Sequence, residues 1–122
     1  MKISNPTARI GEEIATKYLQ NKGYQIIERN FRKGYGEIDI VTTYQNKILV
    51  FVEVKTRKTT NFGDPLEAIT YSKLKTLTKT AEFYKAIHKN LPERLRIDAV
   101  SILLDSENSV KKIEHIENIS PF

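Results

Sequence analysis

No cysteine occurs anywhere in the 122 residues. A disulfide framework is therefore excluded, as is any zinc site built on thiolates. Long apolar runs are missing as well, since no stretch approaches the roughly 20 residues that a membrane-spanning helix needs. The opening segment "MKISNPTARIGEE" lacks the apolar core of a signal peptide, so a cytoplasmic protein without membrane contact is expected. Internal repeats, low-complexity segments and interdomain linkers are also absent. Residues 1–122 are read as one domain, long enough to bury a core without staples. What is present is a globular balance, 39% hydrophobic and 29% charged, with a net charge of +5. Residues 55–90 carry eight basic side chains (Lys55, Arg57, Lys58, Lys73, Lys75, Lys79, Lys85, Lys89) against three acidic ones (Asp64, Glu67, Glu82). A basic stretch is more often a solvated face than a nucleic-acid footprint, so charge alone does not name the partner.

Helix and strand signals alternate along the chain. Asn5 followed by Pro6 marks a helix start, and Gly23 a left-handed stop. Ile10, Ile14, Ala15, Tyr18 and Leu19 share one face of that helix, with Gly11 near its centre, where it permits close approach to a sheet. Glu12 lies at the edge of the face and Glu13 points toward water. "YQIIERNFR" reads as a strand. "GEIDIVTTYQNKILVFVEVK" reads as two strands joined by a short turn at Gln45 and Asn46. In "GDPLEAI", Asp64, Pro65 and Glu67 fit an N-cap, a first-turn proline and a capping-box acid. A long helix is expected over roughly residues 72–90, with Leu74, Leu77, Ala81, Tyr84 and Ile87 as its stripe. "RIDAVSILL" reads as a buried strand and "VKKIEHIENI" as a shorter last one. The order αβββαββ predicts a mixed α/β sandwich.

The segment "ILVFVEVK" (residues 48–55) sets the functional question. Alternate side chains of a strand point to opposite faces, so Leu49, Phe51, Glu53 and Lys55 share one face, and Ile48, Val50, Val52 and Val54 the other. Both faces are apolar up to Glu53, as in a strand covered on both sides. A buried carboxylate or ammonium needs a partner, and a structural Glu53–Lys55 ion pair is the plainest one. In "GEIDIV", however, Glu37, Asp39 and Val41 also share a face. A hairpin centred on Asn46 sets Asp39 opposite Glu53, and Glu37 opposite Lys55. Directly opposed Cβ atoms lie about 4.5–5.5 Å apart. Two carboxylates that close repel unless a cation sits between them or one takes a proton. Mg²⁺ favours hard oxygen ligands such as this pair. Lys55 could orient or deprotonate an attacking water, or stabilise charge on a phosphate. The ion-pair explanation leaves Asp39 unaccounted for. Two carboxylates and a lysine beside a basic helix suit metal-assisted phosphodiester hydrolysis.

"GEID" followed, 14 residues from its aspartate, by "EVK" resembles the PD-(D/E)xK nuclease superfamily. More closely, the chain resembles the YraN family of bacterial proteins, related to archaeal Holliday-junction resolvases. The resemblance runs through "GEEIATKYLQNKGYQIIERNFR", "GEIDIV", "LVFVEVKTRK", "FGDPLEAIT", "RIDAVSI" and "IEHIEN", in that order. It implies a restriction-endonuclease-like αβββαβ core, a central mixed sheet flanked by helices, with an extra C-terminal strand. It further implies that Asp39 and Glu53 bind Mg²⁺, or Mn²⁺ in its place, assisted by the backbone carbonyl of Val54. Lys55 becomes the catalytic lysine, and Glu12 matches the extra glutamate that resolvase-like members hold beside the metal. Ile38-Asp39 stands where the superfamily label has Pro-Asp.

The implied activity is a Mg²⁺-dependent DNA endonuclease, with branched or damaged DNA as candidate substrates and a homodimer as the resolvase-like assembly. The alternative is a nucleic-acid-binding or scaffold module that keeps the nuclease fold without efficient cleavage. Arg57 and Lys58, just past the active strand, are candidate phosphate contacts. Lys73, Lys75 and Lys79 either line a phosphate path or form a solvated helix face. Glu37 is expected to pair with Lys55, with a ligand role as the other option. Asp98 is expected to be a hydrogen-bonded structural carboxylate, and His88 and His115 to lie at the surface.

Overall fold

The computed structural model describes residues 5–34, 36–59 and 69–120. Its elements are α1 (Pro6–Asn21), β1 (Tyr24–Lys33), β2 (Gly36–Tyr44), β3 (Ile48–Lys58), α2 (Tyr71–Ile87), β4 (Arg94–Leu104) and β5 (Val110–Ile116). This is the expected order. The Asn5 side chain accepts from the Thr7 N–H at 2.9 Å, capping α1 ahead of Pro6. Gly23, at φ 94°, takes the left-handed conformation just past the helix end. The proposed cap at Asp64, Pro65 and Glu67 lies outside the described residues. Within them, Thr70 caps α2 by accepting from the Lys73 N–H at 3.1 Å.

The five strands form one sheet in the order β1-β2-β3-β4-β5. The β2–β3 hairpin turns through Gln45 (φ 54°) and Asn46 (φ 57°), two successive left-handed residues whose twist suits a tight hairpin. Its ladder runs from Tyr44↔Ile48 to Ile40↔Val52, the register centred on Asn46. β3 and β4 pair in parallel, with α2 as the crossover between them. Consequently α2 begins near the end where β3 leaves the sheet. β5 adds to β4 antiparallel as the extra C-terminal strand.

Each helix covers one face of the sheet. On the α1 side, Ala15 and Leu19 pack with Ile40, Val50, Val52, Val100 and Ile102. On the α2 side, Leu77, Ala81 and Tyr84 pack with Val41, Leu49 and Phe51. β3 contributes to both cores, which is why its apolar run shows no alternation. Asp98, on β4, is fully buried and well satisfied. It accepts from Arg96 Nε and Nη2 at 2.9 Å each and from the Asn118 N–H at 2.9 Å, and it lies 2.8 Å from His115 Nε2. Burial alone would raise this carboxyl. The bonds from His115, Arg96 and Asn118 overcome that and hold it below the ordinary carboxylate range. His115 departs from expectation, because its side chain is only 3% exposed. β5 turns it inward against Asp98 and the rings of Tyr18 and Tyr24. His88 is half-buried and stacks on Tyr84.

Gly11 is where α1 meets β3. A Cβ there would collide with Thr56 Oγ1 and stand 2.7 Å from Thr56 Cβ, on a stiff β-branched side chain. Alanine normally favours a helix over glycine by about 1 kcal/mol. Gly11→Ala should nonetheless destabilise the protein, by about 1–3 kcal/mol, because the helix must lift from the sheet. Urea melts of Gly11→Ala, alone and combined with Thr56→Ala, check this. The second change should recover part of the loss.

Candidate active site

Past Ile40↔Val52 the hairpin changes its bonding. Asp39 Oδ2 accepts from the Val54 N–H at 2.8 Å, so a side-chain carboxylate uses a donor on the neighbouring strand. Glu53 is 4% exposed. Asp39 and Glu53 line one cavity of about 470 Å³, together with Glu37 on β2 and Thr70, Ser72 and Lys73 at the start of α2. Glu53 Oε2 lies 2.8 Å from Lys73 Nζ and 3.5 Å from Lys55 Nζ. The parity of the strands thus brings Asp39, Glu53 and Lys55 together, and the crossover adds Lys73.

Electrostatics marks Asp39 as the unsettled member. Its burial, then the nearby charge of Glu53, push its carboxyl up from 3.8 to about 7, with Glu12 and Glu37 adding to the effect. The Val54 N–H works the other way but does not compensate. For Lys73, burial acts against the charge. The bond to Glu53 and the charges of Glu53 and Asp39 prevail, raising its pKa above the ordinary lysine value.

Two neighbouring glutamates have arginine partners. Glu37 lies across the β1–β2 ladder from Arg32, whose Nε donates to it at 2.7 Å, a partner the β2–β3 register did not suggest. Glu12 is close enough to influence Asp39, yet its carboxylate is held by Arg29 Nη2 at 3.3 Å. The same guanidinium holds Glu13 at 3.0 Å. Among the described residues, no group of three or more His, Cys, Asp or Glu side chains converges as a metal cage. The resemblance implied a place for Glu12 beside the metal; the structure pairs it with Arg29 of β1. Its position at the edge of the apolar face is as expected, with 14% of the side chain exposed against 53% for Glu13.

The contact between Lys73 and Glu53 is the feature that strand parity missed. Local pattern could not supply it, since Lys73 lies 20 positions beyond Glu53 on another element. Topology could have, because the helix crossing from β3 to a parallel β4 must start at the end of β3 that carries Glu53 and Lys55. Arg57 and Lys58 continue β3 beyond the cavity and are half-buried.

A mixed sheet between two helices, with an acidic pair and two lysines at the end of one hairpin, defines an α/β domain with a charged centre. The chain belongs to the family described as "Uncharacterised protein family UPF0102", which matches residues 11–102 and corresponds to the YraN group. A UPF0102 protein of Syntrophomonas wolfei is 50% identical over 109 residues, covering 88% of this chain and 91% of the relative. One from Caldanaerobacter subterraneus is 43% identical over 110 residues, covering 89% of each. One from Clostridium botulinum is 44% identical over 111 residues, covering 88% of each. Among solved structures, the EndoMS–dsDNA2 complex overlays with a TM-score of 0.45 at 16% identity. The overlay covers 85% of this chain but 38% of that longer chain.

The raised Asp39 value fixes a pH dependence. A carboxyl whose folded value lies above its unfolded value stabilises the fold fully at low pH and loses that contribution as pH rises. Here the loss falls between 3.8 and about 7. Without divalent ions, wild-type melting temperature should drop by roughly a few degrees from pH 5 to pH 8. Asp39→Asn should flatten this slope and melt higher than wild type at pH 8. Parallel melting series of the two proteins measure both effects.

Proposed function

We propose that this protein is a Mg²⁺-dependent nuclease that hydrolyses phosphodiester bonds in DNA. The observation that carries this reading is the Asp39–Glu53 pair, two adjoining carboxylates in one cavity with two ammonium groups drawn to Glu53. A structural role would favour a carboxylate satisfied as fully as Asp98. Asp39 instead has one backbone donor and a carboxylate neighbour, and its proton affinity is raised. The donor set suits Mg²⁺, which takes one or two carboxylates and retains water. The Lys73 ammonium on Glu53 is itself a cation drawn to the pair. The resemblance to PD-(D/E)xK nucleases points the same way.

In this reading Asp39 and Glu53 would hold the ion, with the Val54 carbonyl assisting, while Glu12, paired with Arg29, would add negative potential. When bound, the ion would neutralise charge developing on the phosphate and orient the reacting groups. Lys55 is fixed on a strand whose apolar residues are packed on both faces. Its ammonium can donate to the attacking water or to a phosphate oxygen without a large rearrangement. Water adds to phosphorus and gives up one proton to solvent, the bond to one sugar oxygen breaks, and that oxygen takes up a proton from solvent as it leaves, giving a phosphomonoester end and a free hydroxyl. Arg57 and Lys58 extend the same strand and would hold flanking phosphates, which position the chain without reading sequence.

Incubation with linear, nicked and branched DNAs, in Mg²⁺, Mn²⁺ or chelator, tests the reading. Cleavage should require the ion, and Lys55→Ala should lower it by about 10²–10⁴-fold. Loss of Lys55 should cost little stability, because Glu53 retains Lys73 at 2.8 Å. A wild-type protein whose melting temperature and DNA are both untouched by Mg²⁺ would overturn the proposal.

The binding face is tested separately. Lys58 and Lys111 both lie close enough to Asp105 to act on its charge, so β5 lysines share the neighbourhood of Lys58. Lys47, in the hairpin turn, and Lys89, past the far end of α2, are exposed comparison sites. Reversing the charge of Arg57 and Lys58 should weaken DNA binding more than reversing Lys47 and Lys89. It should also make the salt dependence shallower, by about 0.9 in slope for each phosphate no longer neutralised. Equal effects of the two reversals in fluorescence anisotropy would move the binding face elsewhere.

A further inference from the structure

Lys73 occupies an odd place for a lysine. It is the third residue of α2, where the positive end of the helix dipole disfavours a cation, and the first turn contains no acidic residue to offset it. Its backbone is pinned by the cap bond to Thr70 at 3.1 Å. Its side chain is 44% exposed, against 25% for Lys55 and 4% for Glu53. The ammonium nevertheless reaches Glu53 at 2.8 Å, closer than Lys55 at 3.5 Å.

These facts separate the three groups by what each can do. Glu53 is buried on a central strand and cannot leave. Lys55 shares that strand and is mostly covered. Lys73 sits at the rim on a flexible four-carbon stem, so its head can move into water while its backbone stays fixed. A divalent ion held by Asp39 and Glu53 would compete with that ammonium for the same carboxylate, and like charges that close repel.

We infer that Lys73 is a displaceable counter-ion, holding Glu53 in the metal-free protein and turning to the cavity mouth as a phosphate contact when a divalent ion binds. This rests on the nuclease reading and deepens it. In the resting site, Lys55 and Lys73 both approach Glu53. Ion binding releases one positive charge to the rim, where Thr70 and Ser72 also line the cavity. The partner so recognised is a polyanion with phosphodiester oxygens, and its affinity becomes coupled to ion loading. The coupling also suppresses tight non-productive binding of DNA at this rim before the ion is present.

The test titrates Ca²⁺ calorimetrically into wild type, Lys73→Met and Asp39→Asn, and measures binding of uncleaved duplex DNA with and without Ca²⁺. Lys73→Met should bind the ion about three- to tenfold more tightly, since no ammonium has to be displaced. Its metal-free melting temperature should fall, and Ca²⁺ should restore it. Its DNA affinity should match wild type without the ion and drop below it with the ion. Lys73→Gln provides a second, polar variant should the methionine change perturb folding. If wild type binds Ca²⁺ and Asp39→Asn does not, but both Lys73 variants bind it no better than wild type, the counter-ion inference falls and the metal site stands. An equal drop in DNA affinity with and without Ca²⁺ would make Lys73 a constitutive contact and overturn the inference as well. If wild type binds no divalent ion, the inference falls together with the site.

Discussion

Two carboxylates, Asp39 and Glu53, share one corner of a hairpin whose remaining residues build the core. Glu53 is fixed there because β3 is packed on both faces, by α1 through Val50 and Val52 and by α2 through Leu49 and Phe51. Asp39 is fixed by the hairpin register and by the Val54 N–H it takes. Neither carboxylate can retreat to solvent without disturbing a strand that both cores depend on. Their mutual repulsion must therefore be met locally, by protonating Asp39 or by bringing in positive charge. Lys55 and Lys73 supply positive charge beside Glu53, and burial together with the charge of Glu53 raises the proton affinity of Asp39. The fold concentrates negative charge at this corner as a by-product of where it places its central strand, and two lysines approach it.

Asp98 shows how the same protein treats a carboxylate that serves structure. It lies on β4, the neighbour of β3, with no solvent-exposed surface. Arg96 engages both oxygens, His115 approaches one, and the Asn118 N–H engages the other. Arg96 also donates to Tyr24 at 2.7 Å, tying β4 to the start of β1. Buried carboxylates with complete partner sets favour the ionised form, and Asp98 shifts down accordingly. Asp39 shifts up. Burial is common to both, so the partners decide the sign. That difference of sign sets Asp39 apart from the fully satisfied Asp98.

Much of this was legible in the chain because it rested on period and parity. The helix stripe around Gly11, the turn at Gln45 and Asn46, and the shared face of Asp39, Glu53 and Lys55 each follow from local geometry, and each has its counterpart in the structure. What was not legible involves partners from different elements. Arg29 reaches from β1 to take Glu12 and Glu13, Arg32 pairs with Glu37 across the β1–β2 ladder, and His115 turns inward to Asp98. Long basic side chains choose among several acids within reach. That choice depends on strand order, which hydrophobic pattern does not encode. The same limit affected charge placement, for residues 55–90 look like a separate basic block in sequence. In space the β4–β5 turn brings Lys111 into the neighbourhood of Lys58.

The crossover helix joins these observations into one mechanism of assembly. A parallel β3–β4 pair requires a connection that returns along the sheet, and α2 supplies it. Its packing stripe of Leu77, Ala81 and Tyr84 fixes the helix on the face that carries Glu53, and the Thr70 cap fixes where its first turn begins. With those two constraints met, residue 73 must project toward the end of β3. A lysine there works against the helix dipole, so the helix itself gains nothing from it. The gain lies in the site, where the ammonium offsets the acidic pair. The backbone of a structural connection is thus used to hold a half-exposed ammonium over a buried carboxylate. Cap and stripe position the helix, and Lys73 adds its ammonium over the buried Glu53 from that fixed backbone.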